Sequence, residues 1–269
     1  MVNINVDPIL LRFGPFALTW HGLCLAGGLL VLTLIFLQLG LRAGFSRQAL
    51  SQLALWWVPG GIFGARLFHV LQNWGTYARE PTRILAIHEG GLAVNGLVLM
   101  ALAIAVLFAR RKKLDVRKLM DVMALASPVG GILIRVGCTI NGDVWGVPTG
   151  GAWGLVYWHP DSSIPAALRG VPTVPIPTLY QLLNLGILLF LVALRRQHLR
   201  DGSLCATGLV LYALGCLVIG FWCPGEVLAL GLTLPQWVAT GMGLLGIGLM
   251  AWIQIPGVAA AGAWRAHGQ

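Results

Sequence analysis

The stretch Ile134–Gly146, IRVGCTINGDVWG, puts an arginine, a cysteine, an asparagine, an aspartate and a tryptophan into one short passage of an otherwise apolar chain. Its first half reads as the end of an apolar helix and its second half as a polar loop. Arg135 has apolar neighbours on both sides, and a charge so placed is expensive without a task or a partner. A guanidinium offers a fixed planar fork of donors that matches phosphate oxygens. Other polar groups interrupt apolar runs elsewhere: His21 after Trp20, Arg66, His69, Glu89, Asn95 and Asp121. Arg66 and His69 are three apart, which puts them on one face of a helix. What these groups can do depends on what surrounds them.

The surroundings are a membrane. Of 269 residues 57% are hydrophobic and only 10% charged, and the mean hydropathy is +0.81. Soluble domains carry about 25% charged residues. The net charge of +9 would suggest nucleic acid for a soluble chain. Here it reflects topology and anionic headgroups, and no nucleic-acid partner is expected. Cysteines 24, 138, 205, 216 and 223 form no CxxC pair. They read as small buried hydrophobes rather than disulfide or metal residues.

Apolar windows of about 20 residues suit a hydrocarbon core ~30 Å thick. Seven occur, at roughly 16–40, 50–72, 91–109, 118–140, 175–194, 204–223 and 234–254. The expected fold is an all-α integral membrane protein, one transmembrane domain over 1–269. The first window is long enough to remain as a span, so no cleavable signal sequence is expected. Pro128, Gly130 and Gly131 predict a kink or close packing in the fourth window. Of 18 Lys and Arg, 12 fall in alternate connections or the tail: Arg42 and Arg47; Arg110, Arg111, Lys112, Lys113, Arg117 and Lys118; Arg195, Arg196 and Arg200; Arg265. The positive-inside rule then puts the N-terminus outside and the C-terminus in the cytoplasm. Loop 141–174, rich in Gly, Pro and Trp, becomes a small extracytoplasmic cap between spans four and five.

In this topology His21, Arg66, His69, Asn95 and Arg135 converge on the outer half of the bilayer. Asp121 lies about 21 Å from Arg135 along a helix, at 1.5 Å per residue, near the inner surface. Plainer readings exist for most of them. Arg66 can snorkel, His69 can be a packing residue, His21 beside Trp20 can anchor an interface, and Asp121 can pair with Lys118 or Arg117. Arg135 resists such a reading best. The phosphate available to an arginine in an intramembrane cavity is that of a phospholipid headgroup.

These residues resemble the bacterial phosphatidylglycerol–prolipoprotein diacylglyceryl transferases. The family signature R-x-G-x-x-I-N-G-[ED]-x-W-G is matched by Arg135, Gly137, Ile140, Asn141, Gly142, Asp143, Trp145 and Gly146. Leu18–Gly22 is similar to the first-helix motif ending W-Y-G, and Gly64–Leu67 to the second-helix G-[GA]-R. Glu89–Gly96 resembles E-G-G-[ML]-[SA]-x-H-G, and Leu232–Gln236 resembles L-T-x-G-Q. Asp121 falls where the family has an aspartate.

The resemblance implies transfer of the diacylglyceryl group of phosphatidylglycerol to the thiol of a lipobox cysteine in a prolipoprotein. Glycerol-1-phosphate is released, no metal or cofactor is needed, and the enzyme sits in the bacterial inner membrane with its active side facing the periplasm or exterior. Arg66, Arg135, Asn141, Asp143 and Gly146 become the expected phospholipid-binding residues. The chain also departs from the pattern. The third-helix histidine is Asn95 here, the asparagine three residues after the signature arginine is Cys138, and S-Q-L-Y-E becomes Pro177–Gln181. The sixth-helix arginine and glutamate have no counterpart in Gly215–Trp222. An amide is no base, but the family's first-helix tyrosine is His21 here. The expected catalytic set is therefore His21 handling the proton, Asn95 hydrogen-bonding substrate and Arg135 on the phosphate, with His69 as the alternative base. The competing reading is a non-catalytic phospholipid-binding or scaffold subunit of a membrane complex built on the same fold.

Overall fold

In lipid every backbone N–H and C=O must be satisfied within the chain, which favours long helices. The computed structural model describes residues 1–14, 16–86, 91, 93–197 and 199–255. Among them run seven helices of 18 or more residues: α1 (Trp20–Arg42), α2 (Arg47–Gln72), α4 (Val94–Arg111), α5 (Val116–Asn141), α6 (Ile176–Leu194), α7 (Ser203–Gly220) and α8 (Leu234–Gln254). A single turn, α3 (Trp74–Tyr77), follows α2. By length and composition five segments suffice to cross a membrane: α1, α5, Ile176–Gln197, α7 and α8. The protein is a mostly helical membrane protein.

It is not all-α. Strand β1 (Val2–Ile4) pairs in parallel with β4 (Leu155–Tyr157), and β2 (Ile9–Phe13) pairs antiparallel with β3 (Phe16–Thr19). The first span was expected to begin at Phe16, yet the helix begins at Trp20. The cause is Thr19, whose Oγ1 accepts the Gly22 N–H at 3.0 Å. A side-chain oxygen capping the third residue of a helix stops the strand and starts the helix. The Trp20 N–H donates to Pro8 O at 3.0 Å. His21 is thereby fixed in the first turn of α1.

The chain divides into two compact units, Met1–Leu34 with Met123–Gln269 and Ile35–Val122, with α1 and α5 contributing to both. In the first unit α1 and α5 touch through small residues. A Cβ on Gly28 would lie 3.0 Å from Gly130 O, and one on Gly137 would lie 2.9 Å from His21 Cα. Small residues let helix backbones approach where lipid gives no hydrophobic incentive. α7 and α8 meet at Gly220, against the side chain of buried Gln236. Gln236 accepts the Thr233 N–H at 2.9 Å and donates to Leu217 O at 3.2 Å.

The 141–174 loop is a cap over the end of α5. Helix ends leave carbonyls without partners, and the cap supplies several. Gly142 N–H donates to Cys138 O at 2.9 Å, Tyr157 O–H to Thr139 O at 3.0 Å and Ser163 N–H to Asn141 O at 2.9 Å. Leu155, Tyr157 and Ile164 form the buried core of the cap, with Ile4, Trp145 and Leu168 packed against it. Burial, then the charge of Asp143, pushes the Tyr157 phenol up, so it stays a donor to that helix end at any physiological pH.

In the second unit α2 and α4 pack back to back at Gly64 and Gly96, each lying against the other's backbone. Phe36 and Trp57 meet edge to face with ring centroids 5.0 Å apart. Ser46 caps α2 through its Oγ, which accepts the Ala49 N–H at 3.2 Å.

Candidate functional site

Three ligating or proton-carrying side chains meet where α1 begins and α5 ends. His21 Nδ1 stands 3.2 Å from Asp143 Oδ2 and 3.8 Å from Cys138 Sγ. Each residue has a local cause for its position. His21 follows the Thr19 cap, and Cys138 lies in the last turn of α5. Asp143 is turned back toward His21 by Gly142, whose φ of 70° is a left-handed value that glycine adopts without penalty. The contact of Gly137 with the His21 backbone brings the two helices close enough for all of this. Asp143 Oδ1 is buried with no hydrogen-bond partner, a costly state for a carboxylate oxygen.

Gly137→Ala is expected to drive α1 and α5 apart, because the added methyl would meet the Cys24 Cβ at 2.8 Å and the His21 Cα at 2.9 Å. Overpacking of this kind costs about 1–3 kcal/mol. The melting temperature in detergent should fall, and the His21 imidazole resonance should shift. An unchanged spectrum would mean that the glycine contact does not position His21.

One turn before Cys138 on α5, Arg135 lays its guanidinium over the ring of Tyr180 at 4.2 Å to the centroid. Such stacking holds the planar group in orientation. Tyr212, Cys138, Tyr180 and Asp143 are the ionisable groups around it. Among the described residues no carboxylate lies within ion-pair distance of Arg135. Asp143, expected to bind phospholipid, faces His21.

Arg66 belongs to a different arrangement, within the second unit. Its Nε donates to Ile84 O at 2.9 Å, Nη1 to Gly91 O at 3.1 Å, and Nη2 to Arg83 O and, at 3.3 Å, to Ala86 O. Tyr77 lies under the guanidinium at 5.3 Å and beside His69, ring centroids 6.0 Å apart. Gly91, with φ 79°, leaves room for both, since a Cβ there would meet His69 Nε2 at 2.6 Å and Arg66 Nη1 at 2.7 Å. Arg66 thus ties down the backbone at 83–86 and at Gly91. Arg66→Met should remove those donors, cost about 2–4 kcal/mol and speed amide exchange at 83–86. Unchanged exchange there would contradict that role.

The remaining expected residues are distributed as follows. Asn141 closes α5, its carbonyl taken by Ser163 N–H. Gly146 is a packing residue, where a Cβ would meet Val174 at 2.7 Å. Asn95 lies in the first turn of α4, and its side chain, like all of Glu89, lies outside the described residues. Cys138 and Tyr180 were not among the expected site residues. Cys138 carried a usable signal, standing one helical turn after Arg135 on the same face. Tyr180 carried one too, as a residue that Pro177–Gln181 keeps from S-Q-L-Y-E, although its place over the guanidinium comes from the packing of α6.

The model of the prolipoprotein diacylglyceryl transferase family matches residues 8–252. The chain is 33% identical over 250 residues to the phosphatidylglycerol–prolipoprotein diacylglyceryl transferase of Synechococcus elongatus, covering 89% of this chain and 86% of that one. It is also 33% identical over 222 residues to the protein of that name from Gloeobacter violaceus, covering 81% and 80%. To that of Cupriavidus pinatubonensis it is 29% identical over 271 residues, covering 94% and 93%. The chain belongs to the prolipoprotein diacylglyceryl transferase family.

Proposed function

We propose that the protein transfers the diacylglyceryl group of phosphatidylglycerol to the cysteine thiol of a prolipoprotein, at the outer face of a bacterial inner membrane. The sulfur forms a bond to the glyceryl carbon that carries the phosphate. The carbon–oxygen bond breaks, and its electron pair leaves with glycerol phosphate. The observation that carries this reading is an arginine that has no carboxylate within ion-pair distance among the described residues, held on Tyr180 one turn before Cys138, whose thiol lies beside His21 and its partner Asp143. Arg135 binds the phosphodiester and stabilises charge on the departing phosphate. His21, oriented by Asp143, brings about loss of the thiol proton. Asn141 hydrogen-bonds the lipid; the side chain of Asn95, expected to do the same, lies outside the described residues.

The same reading has seven spans, with α2 and α4 joining the five apolar enough on their own, and the N-terminus outside. Supporting it are the basic residues clustered at the ends of α1, α4 and α6. Reporter fusions after Lys113 and after Asp161 should then read cytoplasmic and external, and the reverse pattern would overturn the orientation. For the activity, the gene should restore lipidation of a reporter prolipoprotein in a bacterium depleted of its own transferase. An unlipidated precursor in cells that make the folded protein would contradict the function.

A further inference from the structure

We propose that Asn184 is a positioning residue for Arg135, a reading that rests on the transferase function above. It fixes α6 against α5 one turn from the stack of Tyr180 on the guanidinium, and so decides where the guanidinium meets the phosphate. Along the contact of the two helices Gly131 faces Asn184, and Arg135 faces Tyr180. Each step is one turn, taken in opposite directions along the two helices. The pairs are therefore neighbouring rungs of one antiparallel contact.

Asn184 stands where an aliphatic side chain would be the cheaper choice. It is 8% exposed, among the buried residues of α6 that include Ile187 and Leu191. A carboxamide taken out of water is costly unless its polar atoms are bonded. Its Nδ2 donates to Tyr180 O at 2.8 Å. In the ladder of α6 that carbonyl is the acceptor for the Asn184 backbone N–H, and it has a second lone pair to give. The side-chain bond is surplus to the backbone; what it does is lock the amide in one orientation.

The locked amide lies flat on the glycine. A Cβ at Gly131 would stand 3.1 Å from Asn184 Oδ1, 3.2 Å from Cγ and 3.3 Å from Nδ2. Near-equal distances to all three atoms put the amide plane face-on to Gly131. The separation of α5 and α6 at this rung is then set by the thickness of one planar group. The next rung is planar as well, with the guanidinium 4.2 Å from the Tyr180 centroid. A branched aliphatic side chain at 184 is thicker and would open both rungs.

α5 needs outside support at this level. Pro128 sits inside the helix, where it gives no N–H to the ladder and weakens the turn. Gly130 and Gly131 follow it, and each is gripped by a neighbour. A Cβ on Gly28 of α1 would lie 3.0 Å from Gly130 O, and Gly131 carries the Asn184 amide. The segment that delivers Arg135 is thus held between α1 and α6 just after the break in its own ladder.

Asn184→Leu should lower kcat for phosphatidylglycerol by about 10–100-fold, the scale on which a small displacement of an orienting group acts, with KM nearly unchanged. Leucine is at home in lipid, so the melting temperature in detergent should not fall. In a Tyr180→Leu background, where no ring supports the guanidinium, the same substitution should cost nothing further. Gly131→Ala opens the rung from the α5 side and should repeat both results, which keeps the test alive if Asn184→Leu does not fold. With no substrate present, the Arg135 Nε–H resonance, assigned by its loss in Arg135→Lys, should shift in either variant as the Tyr180 ring moves. Wild-type kcat in both variants, losses that multiply in the Tyr180→Leu background, or an unmoved Arg135 resonance would overturn the role. A shifted resonance in a protein whose wild type transfers nothing upholds the positioning and sinks the transferase function instead.

Discussion

Replacing Arg135 by glutamine is expected to lower kcat/KM for phosphatidylglycerol by about 10²–10³-fold, the scale on which enzymes lose rate when one preorganised donor to a developing anion is removed. The phosphodiester carries one negative charge in the ground state and hands a second electron pair to phosphate oxygen as the carbon–oxygen bond breaks. Arg135 has no carboxylate within ion-pair distance among the described residues. Its charge is therefore not already neutralised, and the loss should appear in both kcat and KM. Arg135→Lys keeps the charge but not the planar fork on Tyr180. Because lysine is a point charge without bidentate geometry, this variant should recover binding more than rate. Steady-state assays in mixed micelles separate the two. Wild-type kcat/KM in Arg135→Gln would mean the phosphate is held elsewhere.

Replacing His21 by alanine should act on rate alone. Groups that handle a proton in the transition state contribute about 10²–10⁴-fold, so kcat should fall by that factor while KM for phosphatidylglycerol stays within about twofold. Asp143 stands 3.2 Å from the ring, and the two act as a unit. The double variant His21→Ala, Asp143→Asn should accordingly be little slower than the worse single variant, as expected for groups that work only together. Additive losses would show that Asp143 serves a different partner. Full activity in His21→Ala would remove His21 from the chemistry.

The helices were legible because each is an uninterrupted apolar run bounded by charge or turn residues, and hydropathy reads such runs directly. The seven long helices coincide with the seven windows to within a few residues at most ends. The four residues before Trp20 were misread for the same reason. FALT is as apolar as the helix that follows, and only the Thr19 side chain, through one hydrogen bond to Gly22 N–H, marks the change from strand to helix. Strands β1 and β4 pair residues far apart in the chain, such as Asn3 with Val156, and no local pattern announces such a pairing.

The site was legible in part. Polar residues at membrane depth name themselves by their cost, which is how His21, Arg66, Arg135 and Asp143 were singled out. Their partners were not legible. Arg66 is satisfied by backbone carbonyls, which carry no sequence signal. Asp143 turns to His21 rather than Arg135 because Gly142 reverses the chain at the end of α5, and the direction of that reversal is set by the cap packed above it.

The central claim is that one site holds a phospholipid phosphate and activates a thiol beside it. It is tested most directly by incubating the purified protein with headgroup-labelled phosphatidylglycerol and a lipobox peptide, then counting products. One labelled glycerol phosphate should be released for each thioether-linked diacylglyceryl peptide, and a peptide with serine in place of the cysteine should release none. If phosphatidylglycerol stays bound and no thioether forms, the chain holds lipid without reacting it, and the claim is wrong.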